Sequence, residues 1–284
     1  MLKDLIITFI GPGVMAEAML SGIIKNQLTA PANILTSGPI EDRNKQLKEK
    51  YGIRTYSDNN KAASLADVVI LSVKPQRLEK VLEGLQGSVK KEALVLSIIA
   101  GASIAKISRI LKHEKVVRSM PNTPAQIGEG ITVWCCSPKV DGTQKNIAQS
   151  ILSAFGQEIF VEEEEYLDKA TALSGTGPAY VYLFMEAMVD AGVHLGFSRR
   201  IAEKLVTETL RGSVDYYDQN GLEPRHLASL RNQVTSPGGT SAEAIYYLEK
   251  AGFRTAISRA VWAAYQRSRE LGQDADSHPP EQID

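Results

Sequence analysis

The chain has 284 residues, with 32 Lys and Arg against 33 Asp and Glu, a net charge of -1, and 43% hydrophobic and 23% charged residues. That balance excludes a bulk basic field for nucleic acid or an anionic membrane, so an anionic ligand has to be held by local geometry. The length suits two domains or one large one, and no apolar run approaches the roughly 18 residues that a membrane helix needs.

Met1–Ile10 contains Lys3 and Asp4 and a short apolar run, too short for a secretory core, and a cytoplasmic protein is expected. Leu5–Ile10, ended by Gly11, reads as a strand buried on both faces. Gly11-Pro12-Gly13-Val14-Met15-Ala16 comes next, and then the helical stretch Glu17–Lys25. This is G-x-G-x-x-A with a strand before it and a helix after it. Gly11 would make the tight turn, Gly13 would let backbone approach a pyrophosphate, and Ala16 would let helix and strand pack closely. A tight strand-helix turn in some other α/β protein would use the same pattern.

The second strand, Asn33–Thr36, runs into Ser37-Gly38-Pro39 and lacks the carboxylate that an NAD-preferring site places there. Hydroxyls and Arg43 suit a 2′-phosphate, which favours NADPH with NADH as the alternative; Arg43 also reads as a solvated helix residue. Ala66–Val73, Leu94–Ala100 and Lys115–Met120 are further strands, ending at Lys74-Pro75, at Gly101 and at Pro121-Asn122-Thr123-Pro124. In an open parallel sheet the ligand lies beyond such ends. The Asn122 amide could bond a nicotinamide carboxamide, while a rigid turn between prolines is the competing reading.

Helix-like segments at Gln76–Leu85, Ser103–Leu111 and Asp141–Phe155 separate these strands, and Ile131–Cys136 and Glu158–Val161 end the series. The adjacent Cys135 and Cys136 suit neither a structural disulfide nor a zinc site, and are expected to be buried thiols in a reducing compartment. The alternation predicts an α/β fold, a Rossmann-like doubly wound parallel sheet over residues 1–162, with the run Glu162–Glu165 at its boundary.

Beyond that boundary no strand-like alternation recurs, and an all-α domain is expected over 163–272. Ala179–Leu195, introduced by Ser174-Gly175-Thr176-Gly177-Pro178, has so little polar face that it should be buried nearly all round, against a partner subunit. Ser198 caps a helix to about Gln219, Pro224 starts another, and Ser241–Lys250 and Arg254–Leu271 close the series before a tail, 273–284, expected to be disordered. Inside this region lies Val234–Glu243. Four hydroxyls, of Thr235, Ser236, Thr240 and Ser241, surround Pro237-Gly238-Gly239 at the start of a helix. Paired glycines and a helix N-terminus can form a nest of N–H groups for a small carboxylate; the competing reading is a glycine turn capped by Thr240, which is spaced to Glu243 as in a capping box.

Five blocks together resemble one family, the pyrroline-5-carboxylate reductases: Phe9–Ala16, Ser72–Gln76, Met120–Pro124, Ser174–Tyr180 and Val234–Ser241. The resemblance runs to about Gly272. It implies a nicotinamide-binding N-terminal domain, a helical C-terminal domain that dimerises by interlocking and often builds larger rings, and reduction by NAD(P)H of the ring C=N of 1-pyrroline-5-carboxylate to proline. On that basis the cofactor is expected at Gly11, Pro12, Gly13, Val14, Met15, Ser37, Asn59, Val73, Lys74, Pro75, Ala100 and Asn122. The substrate carboxylate is expected at Ser236, Gly238, Gly239 and Thr240, with Ser241 as the catalytic hydroxyl that orients the ring nitrogen, and no metal. Two positions depart from the pattern. Ser241 stands where family members commonly carry Thr, keeping the hydroxyl without the methyl, and Pro12 replaces Gly or Ala, removing one N–H donor.

The chemistry agrees with what the chain lacks. Ketone reduction calls for a proton donor, usually His or Lys, yet His113, His194, His226 and His278 all lie outside the glycine-rich and strand-end motifs. A protonated imine arrives with its own positive charge and needs less help. Reduction of another cyclic imine is the closest alternative. A β-hydroxyacid dehydrogenase would carry a catalytic Lys on the helix after Gly177-Pro178, where this sequence has none, and a catalytically silent NADPH sensor would have no use for the hydroxyl-rich loop.

Overall fold

The structure is a computed structural model that describes residues 2–219 and 226–273. In chain order its first part runs β1 (Ile7–Ile10), α1 (Val14–Lys25), β2 (Ile34–Ser37), α2 (Glu41–Tyr51), β3 (Arg54–Tyr56), α3 (Asn59–Leu65), β4 (Val68–Leu71), α4 (Leu78–Gly84), β5 (Leu94–Ser97), α5 (Ile104–Leu111), β6 (Val116–Met120), β7 (Gly130–Cys136), α6 (Gly142–Leu152) and β8 (Gly156–Phe160). β1, β2, β4 and β5 are buried at every position, Thr8, Thr36, Ser37 and Ser97 included, because these mainly apolar strands are covered on both faces. The period of two sorts their side chains: Ile7, Phe9, Val68, Ile70, Leu94 and Leu96 pack with α1 on one face, and Ile10, Val69, Leu71 and Val95 pack with α4 and α5 on the other.

The sheet order is β3-β2-β1-β4-β5-β6-β7-β8. The pairs are parallel except β6 with β7. Only a tight connection around the 3₁₀ turn Thr123–Ile127 joins those two strands, and a parallel crossover needs a dozen residues or more. Order reverses between β1 and β4, which is the switch point where such sheets bind ligands. There the ends are flush: Ile10 pairs with Ser37 on one side and Leu71 on the other.

The helical part runs α7 (Glu165–Ala170), a π-turn at Thr171–Gly175, α8 (Gly177–His194), α9 (Arg199–Gln219), α10 (Leu227–Gln233), α11 (Thr240–Lys250) and α12 (Phe253–Gln273). The helix start expected at Pro224 and the tail expected to be disordered lie outside the described residues, except Gln273, the last residue of α12. By contacts the chain forms one unit from residues up to Pro178 plus those from Ala264, and a second from Ala179–Ala263. Residues 163–178 join the first unit because buried Arg118 of β6 pairs with Glu164 at 3.0 Å and Asp168 at 2.9 Å, and Ser268 of α12 also donates to Asp168 at 2.9 Å.

Within one chain much of α8 is exposed. Val189 is its buried residue, while Val181 is 50% and Leu183 67% exposed. Among the described residues the second unit's buried core consists of Val189, Ala202 and Val206, too small to cover a helix with so little polar face.

Candidate active site

The glycine loop after β1 is built by two close approaches. Gly11 has φ +93°, and a Cβ there would lie 2.6 Å from Val73 Cγ1, so only glycine fits between β1 and the turn after β4. The Gly11 N–H donates to the Ser37 carbonyl at 2.9 Å, and the Ser72 hydroxyl donates to the Gly11 carbonyl at 2.9 Å. Thus the ends of β1, β2 and β4 are tied through one residue. Pro12 sits against the Gly38 turn, where a Cβ would fall 2.6 Å from its Cδ, and its carbonyl accepts from Arg43 Nε at 3.0 Å. Gly13 faces open space, with nothing within 4 Å of where a Cβ would stand. The first-turn amides of α1, including those of Val14 and Met15, open onto the same end. A cradle that a side chain would fill, over a helix N-terminus at the switch point, fits the diphosphate of a dinucleotide.

Other sequence-selected residues follow the same sheet edge. Buried Ser37 ends β2 and donates to Asn59 Oδ1 at 2.7 Å, at the start of α3. Val73, Lys74 and Pro75 follow β4, with Lys74 exposed and opening a 3₁₀ turn, and Ala100 lies in the turn after β5. Asn122 follows β6. Its Oδ1 accepts the Ile131 N–H at 3.0 Å and its Nδ2 donates to the Ser174 carbonyl at 3.2 Å, which leaves one amide hydrogen for a ligand. This bond joins two of the sequence blocks, and a Cβ on Gly175 would lie 2.9 Å from Met120 Cε.

A group that the sequence left without a role lies beside the loop. Glu17 of α1 accepts from Arg43 at 2.5 Å, Lys50 at 2.8 Å and Tyr51 at 2.8 Å, all on α2. Burial alone would raise its pKa, but these donors outweigh that and hold it at about 2. Arg43 is therefore no solvated helix residue: its side chain is 21% exposed. Local pattern could not reveal this, since the partners lie 26 to 34 positions away.

The remaining selected residues, Ser236, Gly238, Gly239, Thr240 and Ser241, lie in the second unit and form one turn. The Gly239 N–H donates to the Ser236 carbonyl at 3.0 Å, Pro237 and Gly238 are the central residues, and Gly238 has φ +69°. That is a type II turn, which explains the Pro-Gly order. A Cβ on Gly239 would fall on the Ser236 hydroxyl. The capping reading is not realised: the N-cap of α11 is Gly239, without a side-chain cap, and Thr240 is already helical. Thr235 donates to the Arg231 carbonyl at 2.7 Å. The hydroxyls of Ser236, Thr240 and Ser241 have no intramolecular partner among the described residues, and they flank the open first turn of α11.

The histidines stay apart from this chemistry. Buried His113 bonds the Ala93 carbonyl at 2.8 Å, and burial lowers its pKa. His226 caps α10, accepting from the Ala228 N–H at 3.1 Å, His194 ends α8, and His278 is outside the described residues. Burial also pushes the Cys135 thiol up to about 12, leaving it unreactive.

A dinucleotide cradle on a doubly wound sheet, followed by helices carrying a hydroxyl-rich turn, defines a nicotinamide-dependent oxidoreductase with a helical second domain. Family models agree: residues 6–101 match NADP oxidoreductase, coenzyme F420-dependent, and residues 164–271 match pyrroline-5-carboxylate reductase dimerisation. The chain is 42% identical to the pyrroline-5-carboxylate reductase of Synechocystis over 93% of this chain and 97% of that protein. It is 38% identical to the Pseudomonas aeruginosa enzyme of that name, over 94% and 97%. Among solved structures, Plasmodium falciparum pyrroline carboxylate reductase with NADP bound superposes with a TM-score of 0.87 at 32% identity, over 96% of this chain and 100% of that one. The pyrroline-5-carboxylate reductase of Coxiella burnetii gives 0.85 at 38%, over 95% and 99%. The chain belongs to the pyrroline-5-carboxylate reductase family.

Proposed function

We propose that the turn Ser236–Ser241 is the substrate site for reduction of 1-pyrroline-5-carboxylate to proline. In this reading Ser236, Gly238, Gly239 and Thr240 hold the carboxylate, and Ser241 orients the ring nitrogen. The observation that carries it is the set of three unpartnered hydroxyls on a Pro-Gly-Gly turn at the open N-terminus of α11. Such a turn offers several N–H and O–H donors but no strong acid. That suits an anion attached to a protonated imine, which brings its own positive charge. The cofactor, held at the Gly11–Met15 loop and the strand ends from Ser37 to Asn122, supplies the hydride when bound. The protein's own contribution is positioning the ring and excluding water.

NADPH is favoured over NADH because the end of β2 offers Ser37 and Gly38 in place of an acid, and Arg43 stands beside Pro12. The exposed apolar faces of α8 and α9, with Leu183 67% and Ile201 50% accessible, support a homodimer built by the helical unit. The family resemblance extends this to a ring of dimers, and the short apolar run at Met1–Ile10 supports a cytoplasmic location. NADPH consumption with 1-pyrroline-5-carboxylate and its six-membered imine homologue, beside NADP reduction with a β-hydroxy acid, tests the assignment. Turnover should be fastest with the five-membered imine, and a faster β-hydroxy acid would reject the reading.

A further inference from the structure

We infer that Glu17 is a positioning residue for cofactor selection, holding Arg43 so that one guanidinium both fixes the glycine loop and faces the 2′-phosphate. This rests on the NADPH reading above. By charge alone Glu17 is out of place, because an unpaired carboxylate in the first turn of α1 would repel the phosphates that this helix end receives. The structure resolves the conflict with three donors from α2. Glu17 Oε1 takes Lys50 and Tyr51, while Oε2 is left to Arg43. With Lys50 and Arg43 against one carboxylate, the cluster keeps a single net positive charge.

Arg43 then works in two directions. Its Nε donates to the Pro12 carbonyl, and its terminal nitrogens donate to Glu17 and Gln46. Of five guanidinium N–H groups, three are used and two remain. The Pro12 ring rests on the Gly38 turn, and the Gly38 carbonyl is held by Asn44 Nδ2 at 2.9 Å. The loop for the diphosphate and the turn after β2, where this fold puts the adenosine ribose, are thus clamped together with Arg43 between them. A long side chain without the Glu17 anchor would have to be ordered by the ligand itself.

The test uses the full chain and measures binding of adenosine 2′,5′-bisphosphate and of adenosine 5′-monophosphate by calorimetry, for wild type, Glu17→Gln, Arg43→Met and the double variant. Wild type should prefer the bisphosphate. Arg43→Met should lose the preference, and Glu17→Gln should lose about tenfold of it, the scale of one charge-assisted bond, with monophosphate affinity kept within about twofold. The double variant should be no worse than Arg43→Met, because Glu17 acts through Arg43. Should Glu17→Gln not fold, Glu17→Asp, which keeps the charge and shortens the reach, is expected to lose part of the preference. An unchanged ratio, an equal loss for both nucleotides, or additive losses would overturn the inference. A wild type without preference would overturn the NADPH reading itself, and the inference with it.

Discussion

Replacing Ser241 by Ala separates the chemistry of the turn from its folding. Ser241 is the second residue of α11 and partly buried, and its hydroxyl has no intramolecular partner among the described residues. The folded state therefore loses no hydrogen bond, and Ala is the better helix former, so stability should change by less than about 0.5 kcal/mol. If Ser241 has its proposed role, the reaction loses a bond to the ring nitrogen, about 1–3 kcal/mol, which is roughly 5- to 150-fold in kcat/KM. In the proposed role the hydroxyl orients the nitrogen and other groups hold the carboxylate, so most of the loss should appear in kcat. Ser241→Thr keeps the hydroxyl and should remain within about threefold of wild type in kcat/KM. The assay is steady-state oxidation of NADPH with 1-pyrroline-5-carboxylate, paired with a thermal melt. A Ser241→Ala enzyme with wild-type kcat/KM and wild-type Tm would remove the hydroxyl from the mechanism.

Three other perturbations act on different links. Gly239→Ala keeps backbone angles that any residue adopts (φ -81°), but its Cβ falls on the Ser236 hydroxyl. It should fold normally and raise substrate KM by about tenfold, the value of one displaced hydrogen bond; an unchanged KM would show that Ser236 does not hold the carboxylate. Arg118→Met leaves Glu164 and Asp168 without their shared cation in a half-buried setting, and should destabilise by about 3–5 kcal/mol. Making both carboxylates Leu as well should recover much of that in denaturant unfolding, and a single variant as stable as wild type would refute the argument. Acid stability tests Glu17, whose folded pKa is depressed from 4.5 to about 2. Its contribution is complete above pH 4.5 and fades as pH falls toward 2, an effect of roughly 1–3 kcal/mol after allowance for partial exposure. The Gln variant should therefore show a flatter fall in unfolding midpoint over that range, and an identical slope would contradict the shift.

What could be read from the sequence, and what could not, divides along the range of the interactions. The strands at the switch point were legible because their mainly apolar residues mark buried segments, and the glycine loop because Gly11, at φ +93°, answers to immediate backbone geometry. The segment between β2 and β4 was not. Of the residues of α2 only Asn44 and Leu47 are buried, β3 has three residues, half exposed, and α3 has seven, so no periodicity exceeds its polar background. The same polar background hid Glu17, since a carboxylate in a first helical turn looks like an ordinary partner for the helix dipole until α2 is folded against it. In the turn before α11 the two readings, cap and nest, share every residue. They are separated only by where the helix starts. With Gly239 as N-cap, Thr240 moves one position into the helix and its hydroxyl is released from backbone duty, so the group that would have ended the chain's own hydrogen bonding becomes available to a ligand. A one-residue shift in a helix boundary, below the resolution of any sequence pattern, is what turns a structural glycine turn into a candidate substrate site.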